Sequence, residues 1–178
     1  MNNKDWTGSK NTPFSTNGCS NHSEQEREKN DYYATEPSAI DDLLKVEKFN
    51  GIIWEPACGE GHLSKRLKEL GMDVISTELY DRGYGVERDV DFLKTGKPYG
   101  QNIITNPPYK YAKEFVEKSL DLLKNKNGCK IAMFLKLTFL EGQKRKALFE
   151  LYPPKCVYVF SKRKECALNG NFKDKSDS

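Results

Sequence analysis

Asn102-Ile103-Ile104-Thr105-Asn106-Pro107-Pro108-Tyr109 reads as a short apolar strand cut off by an amide, two prolines and an aromatic. Proline has no N–H for a sheet ladder, so the strand Asn102–Thr105 must stop there. The two rings also stiffen the backbone and hold Asn106 and the nearby carbonyls in fixed directions at the strand's carboxyl end. In an open α/β sheet that end is where ligands bind. The Asn106 amide oxygen beside the Pro107 carbonyl makes a pair of acceptors suited to the two hydrogens of an exocyclic amino group. Tyr109 adds a flat face on which a planar ring can stack. Taken alone, the same letters also describe a rigid strand-to-loop turn.

Upstream, Gly51-Ile52-Ile53-Trp54-Glu55-Pro56-Ala57-Cys58-Gly59-Glu60-Gly61-His62 runs from an apolar strand into an acid, a proline and a Gly-x-Gly pair. A helix follows with Leu63, Leu67 and Leu70 on one face, closed by Gly71. Glycines at such a loop let the backbone approach a ligand closely. Asp73–Thr77 forms the next strand and ends at Glu78, nineteen residues beyond Gly59. An acid about 20 residues past a glycine loop, at the end of the following strand, can accept from both hydroxyls of a ribose. Val86–Leu93 reads as a third short strand and turn, with acids at Asp89 and Asp91. Cys58 reads as small loop filler with no nucleophilic role.

Further upstream, Thr35 is placed to cap an amphipathic helix carrying Ile40, Leu43 and Leu44, with Pro37 in its first turn. Downstream, the spacing predicts a helix over Tyr111–Lys124, a fifth strand over Cys129–Leu137 buried on both faces, and a loop over Thr138–Gly142. A basic helix Gln143–Leu151 and a sixth strand Cys156–Phe160 complete the pattern. Strand and helix alternate from residue 32 to 160, which predicts an α/β fold with a doubly wound, mostly parallel sheet. Residues 1–30 read as a flexible polar arm, 31–163 as the folded domain and 164–178 as a polar tail.

The bulk numbers bound the function. A chain of 178 residues fits one domain with a real core. The hydrophobic share of 37% and mean hydropathy of −0.78 are low, and the polar ends explain much of that. Five cysteines without a CxxC pair argue against a disulfide framework, and two histidines offer no zinc-ligand spacing. With no signal peptide and no apolar run of membrane length, the simplest expectation is a reduced, cytoplasmic protein. The net charge of +3 is unevenly spread: nine Lys/Arg against four acids make 143–178 +5 and leave −2 for the rest. A basic end on a near-neutral body suits a phosphate backbone, with Lys144, Arg145 and Lys146, and Lys110 beside Tyr109, as candidate nucleic-acid contacts. An ordinary solvated surface reads the same way.

Asn106-Pro107-Pro108-Tyr109 resembles motif IV of the S-adenosylmethionine-dependent DNA N6-adenine methyltransferases. Glu55-Pro56-Ala57-Cys58-Gly59-Glu60-Gly61 resembles their motif I, and Glu78 sits where their motif II acid binds ribose. Asp91-Phe92 resembles motif III, in which the acid accepts from the cofactor's adenine amino group and its neighbour packs on the ring; Asp89, two residues earlier, is the alternative, and Asp91 is preferred because an aromatic follows it. Tyr32-Tyr33-Ala34-Thr35 resembles motif X, which implies Tyr33 and Thr35 near the cofactor's methionine end. The whole chain is similar to small phage or prophage enzymes, often partners in restriction-modification.

The resemblance implies a Rossmann-like fold, S-adenosylmethionine as cofactor, and adenine flipped from duplex DNA as acceptor. It implies no metal. No stretch is large enough for a separate target-recognition domain, and the final antiparallel strand is expected to be missing, leaving a shortened, six-stranded sheet in which Cys129–Leu137 either exposes an edge or pairs irregularly with Cys156–Phe160. Rival readings are an RNA adenine enzyme, a release-factor glutamine methyltransferase, and an inactive module that binds nucleic acid or cofactor.

Overall fold

A computed structural model describes residues 34–85, 89–162, 164 and 166–167. In chain order the regular elements are β1 (Ala34–Thr35), α1 (Ser38–Val46), β2 (Ile53–Glu55), α2 (His62–Glu69), β3 (Val74–Ser76), β4 (Asn102–Thr105), α3 (Ala112–Leu123), β5 (Ile131–Met133), α4 (Lys146–Leu151) and β6 (Cys166–Ala167). Four strands form one parallel sheet in the order β3-β2-β4-β5, with Ile53 opposite both Val74 and Asn102, and Thr105 opposite Met133. β1 and β6 pair separately and antiparallel, Ala34 with Ala167 and Thr35 with Cys166.

Successive strand residues point to opposite faces, and the two core clusters follow that alternation. Ile53 and Ile104 pack with Ile40 of α1, Phe49, and Leu63 and Leu67 of α2. Their chain neighbours Trp54 and Ile103 pack instead with Phe92 and with Phe115 and Leu123 of α3. Helices therefore cover both faces of the sheet. Each fully buried Ile or Leu contributes about 1.5–3 kcal/mol of transfer free energy, so these two clusters hold the layers together. Trp54 satisfies its buried indole by donating from Nε1 to Thr77 Oγ1 at 2.9 Å.

The chain steps from β2 outward to β3 through α2, then returns to the other side of β2 and steps outward again from β4 to β5. The direction reverses between β2 and β4, and the crevice at the carboxyl ends of two such strands is where open α/β sheets take ligands. The crevice lies between Glu55 and Asn106, the residues at or just past those two strand ends.

Several expectations need correction. Cys156–Phe160 forms no strand: it has no regular secondary structure and is largely exposed, with Tyr158 donating to Glu47 Oε1 at 2.8 Å and Phe160 stacked on Phe134 at 6.1 Å. The fifth strand shortens to β5 and is only half-buried, because it is the sheet's outer strand among the described residues. The expected third strand is a 3-10 turn, Phe92–Lys94, in its described part, while 86–88 lie outside the described residues. Thr35 caps no helix. It sits in β1, and the cap position falls to Pro37 with no side-chain hydrogen bond. The basic helix starts as a 3-10 turn, Gln143–Arg145, before α4. Lys164, Cys166 and Ala167 are tied to the body of the fold: β6 pairs with β1, and Lys164 reaches back to Asp42 at 2.7 Å and Ser38 Oγ at 2.8 Å, while the rest of the expected tail lies outside the described residues. The proposed arm 1–30 lies outside the described residues.

Candidate functional site

The loop after β2 is shaped by its glycines. Gly59 and Gly61 both adopt left-handed backbone, φ 54° and 79°, which side chains disfavour. Gly61 also carries the ring of Tyr84: a Cβ there would lie 2.2 Å from Tyr84 Cδ1. The lysine ammonium groups of α2, Lys65 and Lys68, lie 5.0 and 5.5 Å from the same ring. Tyr84 thus closes over the loop, a contact that no motif in the sequence announced.

Glu78 is buried at the end of the neighbouring strand, and its Oε2 accepts from Gly59 N at 2.7 Å while Oε1 accepts from Leu79 N at 2.9 Å. The nineteen-residue spacing is therefore a direct contact. Backbone bonds tie the two ends together: Thr77 N donates to Glu55 O at 2.9 Å and Cys58 N to Thr77 O at 3.1 Å. Val90 N donates to Glu78 O at 3.1 Å, which brings the segment of Asp91 alongside.

Glu55 is buried inside this scaffold. It accepts from Ser64 Oγ in the first turn of α2, and Ser64 shares a 2.6 Å hydroxyl contact with Ser76 of β3. Burial pushes its carboxyl up to about 8, so at neutral pH it is largely protonated. Cys58 is buried too, and burial pushes its thiol above the ordinary range, which leaves it without thiolate character. Pro56 is fully buried behind the loop.

On the other side of the crevice, Asn106 Nδ2 donates to Thr35 Oγ1 at 2.7 Å. Pro107 is fully buried, and Pro108 O accepts from Tyr111 N at 2.9 Å, closing the 3-10 turn Tyr109–Tyr111. Lys136, just past β5, places Nζ 4.2 Å from the centroid of the Tyr109 ring. Thr105 Oγ1, beside Asn106, is buried with no hydrogen-bond partner among the described residues.

Thus Glu55, Gly59, Gly61 and Glu78 gather on one side, with Thr35, Asn106, Pro107 and Tyr109 on the other. Asp91 stands at the edge of the first group, where Oδ1 accepts from Leu93 N at 3.0 Å and Oδ2 pairs with Lys94 at 2.9 Å. The hydrogen bond from Lys94 holds its carboxyl below the usual range. Phe92 does not face a ligand: it is buried against Trp54 and Phe115, at 5.1 and 4.6 Å between ring centroids, so the expected ring-packing role is not available to it. Tyr33 lies outside the described residues.

The basic candidates divide. Lys144 is exposed, Lys146 pairs with Glu150 at 3.6 Å, and the ammonium of Lys110 lies 5.2 Å from the Tyr111 ring. Arg145 has a structural duty the sequence did not reveal. Its guanidinium donates to the carbonyls of Phe139 at 2.6 Å, Thr138 at 3.0 Å and Glu141, and stacks on the Phe139 ring at 4.9 Å. A groove of about 230 Å³ between α3 and α4, lined by Leu120, Leu148 and Leu151, belongs to neither group. Among the described residues no group of three or more His, Cys, Asp or Glu could hold a metal, and no helix is long and apolar enough to cross a membrane. No family model matches the chain, and no curated protein matches its sequence.

Proposed function

We propose that this chain is an S-adenosylmethionine-dependent methyltransferase of the doubly wound, Rossmann-like kind, acting on the exocyclic N6 amino group of adenine in DNA. One observation carries the reading: residues singled out separately as cofactor-binding and acceptor-binding converge on the two strand ends where the sheet reverses direction. A ribose-bearing cofactor suits the first group, because the left-handed Gly59 and Gly61 keep the loop backbone free of side chains and the Glu78 carboxylate stands beside it as an acceptor. Gly59, Gly61 and Glu78 would hold the nucleoside part, with Asp91 at its far edge and Glu55 behind the loop.

When bound, the cofactor supplies an electrophilic methyl group on a sulfonium. The chain's task is to make the acceptor nitrogen attack. An adenine amino group is a poor nucleophile because its lone pair is delocalised into the ring. The Asn106 amide oxygen and the Pro107 carbonyl accept its two hydrogens and favour a lone pair directed out of the ring plane. Thr35 fixes the plane of the Asn106 amide, so the acceptor pair is set before substrate arrives. Tyr109 stacks on the base once it has left the duplex and offsets part of the cost of extruding it. The catalytic contribution is positioning and electrostatics, with no covalent intermediate.

The experiment is labelled S-adenosylmethionine offered in parallel to duplex DNA, RNA and a release factor. Label in DNA adenine, lost in Asn106→Ala, is the expected result. Label in a release-factor glutamine or in RNA, or none in any acceptor, overturns the reading.

A further inference from the structure

We propose that Lys136 is the side chain that takes a backbone phosphate of the DNA next to the acceptor adenine, exchanging the face of Tyr109 for that phosphate when the base arrives. The inference rests on the functional reading above and adds a residue that no motif in the sequence marks. Tyr109 follows the Asn106 acceptor group by three residues, and the ammonium of Lys136 sits 4.2 Å from its ring centroid. Lys136 is exposed, and its ammonium enters no ion pair among the described residues. By contrast, Lys45, Lys94, Lys113, Lys124, Lys130 and Lys164 each hold a carboxylate. The ammonium of Lys136 therefore lies over the Tyr109 face beside the candidate site, within reach of an anion that arrives with a stacked base.

The position is built rather than incidental. β5 lies beside β4 with Met133 opposite Thr105, and Phe134 N donates to Thr105 O at 3.0 Å, so the chain leaving β5 runs next to Asn106. Lys136 O then accepts from Phe139 N at 2.8 Å, opening the 3-10 turn Leu137–Leu140. Arg145 clamps that turn through the carbonyls of Thr138, Phe139 and Glu141. The backbone at Lys136 is thereby fixed while its four-carbon stem remains free to swing.

Base stacking on an aromatic outweighs an exposed cation–π pair. An incoming adenine therefore displaces the ammonium from Tyr109, and the nearest strong anion it brings is the phosphate on its own sugar. An ammonium, with three rotatable donors and no fixed plane, suits a phosphate whose approach differs between the stacked and extruded base.

The test uses the full chain, a fluorescent duplex oligonucleotide, and the variants Lys136→Met, Lys136→Arg and, as a distant control, Lys126→Met. For Lys136→Met the slope of log Kd against log salt should fall by about one phosphate contact. The KM for duplex should rise about tenfold, while KM for free deoxyadenosine, which carries no phosphate, should not change. Lys136→Arg should restore most of both losses, and Lys126→Met should behave as wild type. Wild-type transfer to DNA combined with an unchanged slope and KM in Lys136→Met overturns the role of Lys136 alone. Failure of the wild-type chain to bind or methylate DNA overturns both this role and the reading beneath it.

Discussion

Asn106 and Thr35 are 71 residues apart in sequence and 2.7 Å apart in space, joined by a hydrogen bond from the amide nitrogen to the hydroxyl. The contact ties the end of β4 to a segment that precedes the whole parallel sheet. It predicts two distinct mutant behaviours. Asn106→Ala should abolish methyl transfer and leave cofactor affinity within a factor of two. Thr35→Val, which keeps the buried shape, should slow transfer roughly tenfold, about the worth of one neutral hydrogen bond, and Thr35→Ser should restore it. Single-turnover rates with calorimetric binding separate the two, and equal loss of cofactor affinity in both variants would remove Asn106 from the acceptor side.

Glu78 holds Gly59 N and, in the proposed function, also takes the cofactor's ribose. Glu78→Ala should weaken cofactor binding by about 1.5–3 kcal/mol, the range for hydrogen bonds to a charged group. Glu78→Gln keeps an acceptor for Gly59 and should lose less. An unchanged dissociation constant in the alanine variant would confine Glu78 to the loop.

Gly61 is constrained twice, by its φ of 79° and by the ring of Tyr84 above it. Gly61→Ala should destabilise the fold by more than the roughly 1–2 kcal/mol of left-handed backbone alone. Adding Tyr84→Ala should recover the excess, because only the steric part involves the ring. A double-mutant cycle by denaturant unfolding measures that coupling, and additive losses would mean the ring does not press on the loop.

Glu55 predicts a pH dependence of stability with a definite sign. Its carboxyl is raised from the ordinary 4.5 to about 8 by burial, so between those values the folded state holds a proton that the unfolded state has released. This contribution is complete below about 4.5 and is lost as pH rises through about 8, at up to about 1.4 kcal/mol per pH unit. Glu55→Gln should flatten the stability profile over that window. A slope identical to wild type would show that the carboxyl titrates normally.

The parallel sheet was legible because Ile53-Trp54 and Ile103-Ile104 carry the short apolar runs of strands buried on both faces, each ended by a proline or a glycine loop. That Glu78 would end beside the Gly59 loop was legible from spacing, since one helix and one strand bring the chain back by a fixed distance. Cys156–Phe160 misled for the same reason the others succeeded: Val157 and Val159 have strand propensity, but among the described residues no strand pairs with them, and propensity without a partner makes no strand. Phe92 misled because an aromatic after an acid looks alike whether it faces a ligand or the core. Tyr84, Lys136 and the clamp of Arg145 lay beyond reading, since each depends on how loops fold back and loop residues have no period.

The β1–β6 pair is only two residues long on each side, secured by Lys164 on Asp42, whose carboxyl that lysine and Lys45 hold down at about 2. Through Thr35 this clasp is joined to the acceptor amide, while the Gly59–Glu78 contact is held within the main sheet and its loops. The two halves of the crevice are therefore anchored with unequal strength. Fraying begins where the fewest bonds must break, so the amides of Thr35 and Ala167 exchange with solvent long before that of Ile103. The Asn106 side of the crevice can therefore come undone while the Gly59–Glu78 side stays closed, so the two walls of one cleft part company one at a time.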